Sequence, residues 1–152
     1  MSSLIETLPF SDAKARLSSL MTSVVHDYQP KAVHRHHGKE EMFLVPHEVM
    51  LALVQNVAFD PQVSVVPGEF VVRLPELNLI GGGETFDAAL DDLLDVASAF
   101  AEQYFRRLRF YAESEHLARL PWVAKIVFTP ADARRSLFEA RSEVSRPLVA
   151  AS

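Results

Sequence analysis

One helical pattern near the start of the chain restricts its fold more than any other feature. Five apolar residues recur at the spacing i, i+3, i+4, i+7 and i+8, which places them on one face of a helix; they are Leu17, Leu20, Met21, Val24 and Val25. Ser11 precedes them as an N-cap whose hydroxyl can accept a hydrogen bond from the first turn, and Asp12 lies at the positive end of the helix dipole. Pro30 ends the pattern. We expect a single amphipathic helix between Ser11 and Pro30.

The segments on either side of this helix have the composition of short strands. Residues 4–8 form one candidate strand, and residues 31–36 and 41–45 flank a turn at His37-Gly38, where glycine can adopt the positive φ that a tight hairpin needs. Pro46 suits the first turn of another short helix. The order predicts a small β-α-β-β-α unit.

A second unit of mixed α and β structure follows the first. Residues 63–66 and 70–74 are predicted to pair as a hairpin around Pro67-Gly68, and we interpret the three glycines at 81–83 as a turn. Thr85 is the predicted N-cap of a long amphipathic helix. The apolar residues of that helix are Phe86, Leu90, Leu93, Leu94, Ala97, Phe100, Ala101, Tyr104 and Leu108.

The last part of the chain has weaker patterns. Residues 122–128 form an apolar run that is predicted as a strand, and a helix containing Leu137 and Phe138 is expected after Thr129. A frayed tail is expected from Arg146-Pro147 onward. Together the patterns predict a mixed α/β (α+β) fold.

Composition and charge leave room for two small domains and point to different partners for different segments. The chain has 152 residues, of which 49% are apolar, and it contains no cysteine, so disulfides and thiolate metal sites are excluded. Residues 1–56 carry a net charge of −1, residues 57–105 of −8 and residues 106–152 of +4, which together give −5. An asymmetry of this size suggests separate binding surfaces.

The sequence contains no sign of export or membrane insertion. The first residues lack a basic segment followed by a long apolar run. No apolar stretch approaches the roughly 20 residues that a membrane span needs. We therefore expect a cytoplasmic protein without a membrane partner.

The sequence disfavours three kinds of catalytic or ligand site. His34 and His36 would share a face of a strand, with His37 close by, but no cysteine joins them and no acidic residue has a diagnostic spacing for a metal site. The three glycines are followed by Glu84-Thr85 instead of the Lys-Ser/Thr of a phosphate-binding loop. No Ser-His-Asp arrangement is present, and the acidic residues of the long helix suit a solvated or partner-binding face better than a two-metal site. The expectation is a protein that is not an enzyme and needs no cofactor.

The first unit resembles the Phd/YefM family of bacterial antitoxins. The resemblance rests on the order of elements, on Phe10-Ser11-Asp12-Ala13-Lys14 at the helix start, and on Arg35-His36-His37-Gly38 between the strands. It implies a homodimer that binds operator DNA and a protein toxin. It assigns DNA contacts first to Lys14 and Arg35; the other candidates are Arg16, Lys31, His36 and His37.

The second unit is similar to the HicB antitoxin domain, a partial relative of the ribonuclease H fold. The similarity rests on a strand pair, the stretch Leu74-Pro75-Glu76-Leu77, the glycines and the Thr85 cap of the long helix. It implies a toxin-binding module. Because toxin RNases are usually basic, the acidic face of that helix is the complementary surface; the candidate contacts are Asp87, Asp91, Asp92, Asp95 and Trp122.

The sequence thus predicts a Phd/YefM-like dimerising DNA-binding domain over residues 1–56 and a HicB-like domain with a C-terminal extension over residues 57–152. The expected function is that of a type II antitoxin that neutralises a RelE-like or HicA-like RNase and represses its own operon. The alternative is an interaction module that kept the dimer fold without operator binding, which the weakly basic first unit favours.

Overall fold

The computed structural model describes residues 4–139 of the chain and divides the chain into two compact units, Met1–Leu53 and Val54–Ser152. The boundary at Leu53 lies three residues before the one expected from the sequence. Each unit has a three-stranded sheet, and seven α-helices occur within the described residues. The fold is therefore mixed α+β.

The first unit follows the predicted order with one additional helix. Its elements are β1 (Glu6–Pro9), α1 (Phe10–Ala15), α2 (Leu17–Val25), β2 (Lys31–Arg35), β3 (Glu40–Leu44) and α3 (His47–Leu53). The strand order is β1-β2-β3, in which β1 and β2 are parallel and β2 and β3 are antiparallel. Arg35 lies directly opposite Glu40 at the end of the β2–β3 hairpin.

The single helix expected after Ser11 is wrong in two respects. The helix begins at Phe10 directly after the strand, so Ser11 lies inside the first turn, and the N-cap residue Pro9 makes no side-chain capping bond. At Arg16 the backbone leaves helical geometry, with φ −121° and ψ 30°, and α2 starts at the next residue. The amphipathic pattern therefore spans two short helices.

The turn between β2 and β3 is longer than the sequence suggested. His36, His37 and Gly38 all have positive φ, and the amide of Lys39 donates to the His36 carbonyl at 3.2 Å. His37 and Gly38 thus occupy the two central positions of a turn that requires positive φ at both. Because β2 ends at Arg35, His36 is not on a strand, and the idea that His34 and His36 share a strand face is incorrect.

The first unit has a small core and much exposed apolar surface. Its buried cluster consists of Ala13, Leu20 and Val33. Several large apolar side chains remain more than a third exposed: Leu4, Phe10, Leu17, Met21, Val25, Tyr28, Met42, Phe43 and Leu53. Units of this size bury only a modest share of their surface when they fold alone. Apolar surface of this extent marks an interaction site.

The second unit packs an antiparallel sheet against one long helix. Its elements are β4 (Gln62–Val66), β5 (Glu69–Leu74), β6 (Leu79–Gly83), α4 (Phe86–Arg106), α5 (Leu108–Ala112), α6 (Leu120–Phe128) and α7 (Ser136–Glu139), with 3₁₀ turns at Glu115–Arg119 and Ala131–Ala133. The Thr85 hydroxyl accepts from the Ala88 amide at 3.1 Å, so the predicted cap of α4 is confirmed. The helix ends at Arg106, and Leu108 belongs to α5 instead.

Two elements of the second unit differ from the sequence-based expectation. The glycines at 81–83 form the end of β6 and not a turn, because a backbone without side chains lets α4 lie against this strand. The run at 122–128 lies in α6, which has Pro121 in its first turn and buries Val123 and Ile126. Its β-branched and aromatic residues resemble a strand locally, but packing decides the conformation. The helix expected after Thr129 is split into a 3₁₀ turn and α7.

The core of the second unit is extensive. Its largest fully buried side chains include Tyr104, Leu90, Leu93 and Phe138. The Tyr104 hydroxyl donates to the His116 carbonyl at 2.7 Å, and its ring stacks on Tyr111 at 4.3 Å between centroids. Burial also raises the pKa of Tyr104.

Two sequence-based expectations concern the ends of the chain and its relation to membranes. The frayed tail expected from Arg146-Pro147 lies outside the described residues. No helix within residues 4–139 is both long enough and apolar enough to cross a bilayer.

Candidate DNA-binding and toxin-binding surfaces

Arg35 lies at the hairpin end of the first sheet and is held there from two sides. Its guanidinium forms an ion pair with Glu40 across the hairpin and lies 5.8 Å from the centroid of the Phe10 ring. The His36 Nε2 atom is 4.0 Å from the same Glu40 carboxylate. About half of the Arg35 side chain is still exposed (54%). An arginine positioned in this way can present its remaining N–H donors to an acceptor outside the protein.

The other predicted DNA contacts lie in different environments. Lys14 is exposed in the last turn of α1, and Arg16 is exposed at the junction of α1 and α2. His37 is exposed in the hairpin turn. These cations and Arg35 belong to the same unit.

Lys31 lies in a different environment from the other predicted DNA contacts. Its side chain is only 8% exposed, and its ammonium group forms an ion pair with Glu6 on the neighbouring strand β1. A buried lysine that already has a carboxylate partner has little capacity to neutralise a phosphate. Lys31 therefore links β1 and β2 within the first unit, and its contact with DNA stays a prediction.

The Glu6–Lys31 pair predicts a pH-dependent contribution to stability. The hydrogen bond and charge of Lys31 hold the pKa of Glu6 below its ordinary value of 4.5. A carboxyl with a lowered folded pKa stabilises the fold fully above its unfolded pKa, and that contribution is lost as the pH falls through the folded pKa.

Replacing Glu6 by glutamine is expected to destabilise the first unit at neutral pH, because Lys31 then keeps its charge without a carboxylate. The urea midpoints of the wild type and Glu6→Gln should differ at neutral pH and approach each other as the pH falls below 4.5. Glu41→Gln is the matched control, since Glu41 is an exposed carboxylate of the same sheet with no ion pair among the described residues. Equal midpoints of Glu6→Gln and wild type at neutral pH would contradict this role.

The histidines do not come together as a metal site in the described part of the chain. No group of three or more His, Cys, Asp or Glu side chains within residues 4–139 is arranged to hold an ion. A shallow cavity of about 310 Å³ does lie beside His34, between the start of α1 and the hairpin. Its lining is mainly apolar, with Arg35, Glu40 and Glu41 at its border.

In the second unit, two of the four predicted acidic contacts already bind a cation of the same unit. Arg135 donates to Asp87 at 2.7 Å and forms an ion pair with Asp91, one turn further along α4. It also donates to Glu139 at 2.7 Å. The hydrogen bond to Glu139, together with the charges of Asp91 and Asp87, raises the pKa of Arg135. Arg135 therefore fixes α7 to the acidic face of α4.

The two remaining aspartates of α4 differ from each other. Asp92 accepts a hydrogen bond from the Gly82 amide at 2.9 Å, so its carboxylate supports β6. Asp95 is exposed and makes no hydrogen bond or ion pair within residues 4–139. Of the four aspartates, Asp95 is thus the one whose carboxylate has no bonding partner among the described residues.

Trp122 serves as an anchor within the second unit. Its indole N–H donates to the Ala58 carbonyl at 3.1 Å, and its ring packs against the core. From the same helix, Lys125 donates to the carbonyls of Gln55 and Val57. These bonds attach residues 55–58 to α6, and the partly buried Trp122 ring leaves only part of its surface to a partner.

Sequence reasoning missed Arg135 and the exposed side of α2. Arg135 meets Asp87 and Asp91 across 48 and 44 residues of chain, so no local pattern signals the contact. The five apolar residues of α2 formed a helix signal but did not separate buried Leu20 from exposed Met21. The two lie on adjacent positions of a helix that is apolar over more than one face.

Comparisons with known proteins establish the family of this chain. No curated protein sequence is significantly similar to it. A solved structure from Syntrophomonas wolfei subsp. wolfei, described as the antitoxin part of a proposed toxin/antitoxin system, has a similar fold with a TM-score of 0.73. It is 16% identical to this chain, and the match covers 88% of this chain and 96% of that one. The PHD-like family of antitoxins of RelE/RelB toxin–antitoxin systems matches residues 4–135, and this chain belongs to that family.

Proposed function

We propose that this antitoxin neutralises a toxin RNase and represses its own operon by binding operator DNA as a homodimer. In this proposal the first unit is a Phd/YefM-like DNA-binding module and the second a HicB-like toxin-binding module. The protein acts in the cytoplasm and catalyses no reaction itself. The observation that carries the DNA-binding part is Arg35, which is held at the sheet end yet half exposed.

The exposed side of α2 supports a homodimer. Leu17, Met21 and Val25 lie at i, i+4 and i+8 on this helix and are 61%, 65% and 39% exposed. A unit with so small a core gains stability when a second copy covers such a stripe. A twofold interface uses the same patch on both copies, so it needs no additional surface.

Dimerisation also doubles the number of cations that the weakly basic first unit can present to DNA. One copy of residues 1–56 has a net charge of −1, which provides little attraction for DNA. Two copies present two sets of Lys14, Arg16 and Arg35 to a site with matching twofold symmetry. Arginine can bind a guanine edge through two hydrogen bonds, whereas lysine suits a phosphate.

The acidic surface of the second unit is the proposed toxin contact. Asp95 has no cation partner among the described residues, and Asp87 and Asp91 remain largely exposed beside Arg135. A basic RNase of the RelE or HicA type provides complementary charge. Asp92 and Trp122 support this surface through their bonds to Gly82 and Ala58.

A second candidate function is a protein-interaction module without operator binding. The burial of Lys31 favours it, because this leaves one fewer cation for phosphate contacts. Such a module would keep the dimer and the toxin contact. The two candidates differ in their affinity for DNA.

Replacing both Lys14 and Arg35 by alanine tests the operator surface. Loss of an arginine–base contact should weaken binding by about 1–3 kcal/mol, and loss of a lysine–phosphate contact should reduce the salt slope by about 1. The measurement is a titration of labelled DNA from upstream of the gene at two salt concentrations. Binding of the co-expressed toxin should not change.

Arg109→Ala is the matched control for charge. Arg109 lies in the second unit, its side chain is 92% exposed, and it pairs with Glu113 within the same helical segment. This variant should bind the operator like the wild type. An unchanged operator affinity in the Lys14→Ala, Arg35→Ala protein would refute the assigned surface and favour the interaction module.

A further inference from the structure

The two edges of the second sheet differ in a way that the proposed function does not use. In the described part of the chain the strand order is β4-β5-β6, so β4 and β6 are the two edge strands. At the β6 edge the Gly82 amide already donates to Asp92 at 2.9 Å. Helix α4 packs mainly on β6 and β5. Within the described residues of the second unit, no strand pairs with the outer edge of β4.

The sequence of β4 lacks the features that normally protect an edge strand. Gln62-Val63-Ser64-Val65-Val66 contains no charge, no proline and three β-branched valines. Val65 is 68% exposed and Val66 is 42% exposed. Natural edges are usually blocked by charges, prolines or bulges, and an unprotected edge is a template for another strand.

The prolines on either side define the length of this open edge. Pro61 directly precedes β4 and Pro67 directly follows it. Proline has no N–H to donate to a neighbouring strand, so a ladder cannot extend through either position as a regular pairing. The pairing surface is thus five residues long, with Ser64 at its centre.

We propose that this edge pairs with the β4 edge of a second copy of the chain, antiparallel and centred on Ser64. In this register Val63 lies opposite Val65 of the other copy, and both lie on the face that carries the buried Val72. The exposed Val65 side chain is then covered by Val63 of the other copy. Two three-stranded sheets become one six-stranded sheet.

The charge distribution favours a second copy over a basic partner strand at this edge. The strand is uncharged, so two copies meet without like charges opposite each other. The aspartates belong to α4, which packs mainly on β6 and β5, and Asp87 and Asp91 pair with Arg135. A basic partner would find its complementary charge on α4. The proposed interface lies in the second unit, whereas the α2 stripe lies in the first.

An introduced cysteine tests this register, because the chain contains no cysteine of its own. In the proposed pairing the new thiols of two Ser64→Cys subunits face each other with Cα atoms about 4.5–5.5 Å apart, which suits a disulfide. In the Gln62→Cys control the two substituted positions are about 13 Å apart along the strand, too far for a bond. Under mild oxidation of the full-length protein, Ser64→Cys should form the covalent dimer at least roughly tenfold faster than Gln62→Cys.

A second pair of variants keeps the result interpretable. Val65→Lys in the Ser64→Cys protein places an ammonium group inside the interface and should abolish crosslinking. Ala99→Lys in the same protein adds an equal charge at an exposed position of α4 and should not. The proposal is overturned if Ser64→Cys and Gln62→Cys crosslink at equal rates, if Ser64→Cys does not crosslink, or if adding Val65→Lys leaves the rate unchanged. None of these readouts depends on toxin or operator binding.

Discussion

Met21→Asp is expected to separate the two first units of the proposed homodimer. Met21 is 65% exposed at the middle of the Leu17–Val25 stripe. Two carboxylates meeting there in a twofold interface would lose hydration without gaining a partner. In a Val65→Lys background, which blocks the proposed β4 contact, light scattering should show an assembly of half the size of the Val65→Lys protein. Operator affinity should fall by roughly 10²-fold or more, since each subunit then binds its half-site alone.

Ser19→Asp provides the control for this effect. Ser19 is exposed on the same helix and lies about 200° around it from Met21, so it adds the same charge on the other side. We expect this variant to keep the wild-type assembly and operator affinity. In the Val65→Lys background, an unchanged size on adding Met21→Asp would show that α2 is not an interface between copies.

Gly81→Ala is expected to destabilise the second unit more than other single methyl additions. A Cβ at Gly81 would lie 2.6 Å from the Ala89 carbonyl oxygen and would also collide with the Leu93 amide nitrogen. Both atoms belong to the backbone of α4, so the helix itself must move away from β6. Overpacking of this kind costs about 3 kcal/mol, which corresponds to a fall of roughly 10–20 °C in Tm for a unit of this size.

Gly82→Ala separates the clash from the general effect of replacing glycine. Its Cβ would meet the end of the flexible Glu69 side chain, which can rotate away. The stability of this variant should stay within about 1 kcal/mol of the wild type. Thermal unfolding followed by circular dichroism measures both. A Gly81→Ala protein as stable as Gly82→Ala would contradict the close packing of α4 on β6.

The elements predicted correctly from the sequence are those with strong local signals. Helix α4 combines a long apolar period with the Thr85 cap, and the hairpin of β4 and β5 combines alternating residues with Pro67-Gly68. The elements predicted wrongly are those in which packing against residues far away in the sequence overrides the local conformational preference. The glycines of β6 look like a turn until the helix that lies against them is known.

The same distinction separates the candidate binding residues whose positions the sequence could predict from those whose positions it could not. Arg35 comes directly before a turn, so its position at the sheet end follows from the hairpin. Lys31 was predicted as a DNA contact, and the sequence did not reveal its ion-pair partner Glu6, which lies 25 residues earlier on a parallel strand. Charge alone cannot distinguish a cation that binds DNA from one that holds two strands together.

Operator binding is tested most directly by a gel-shift titration of the purified protein against DNA from just upstream of its own gene. We expect a discrete complex that weakens as salt is raised from about 50 to 200 mM and that unrelated DNA does not displace. Adding the purified toxin should either leave the band of the protein–DNA complex unchanged or shift the whole band to a new mobility. The absence of a specific complex at low salt would contradict operator binding and leave a protein that acts on its toxin alone.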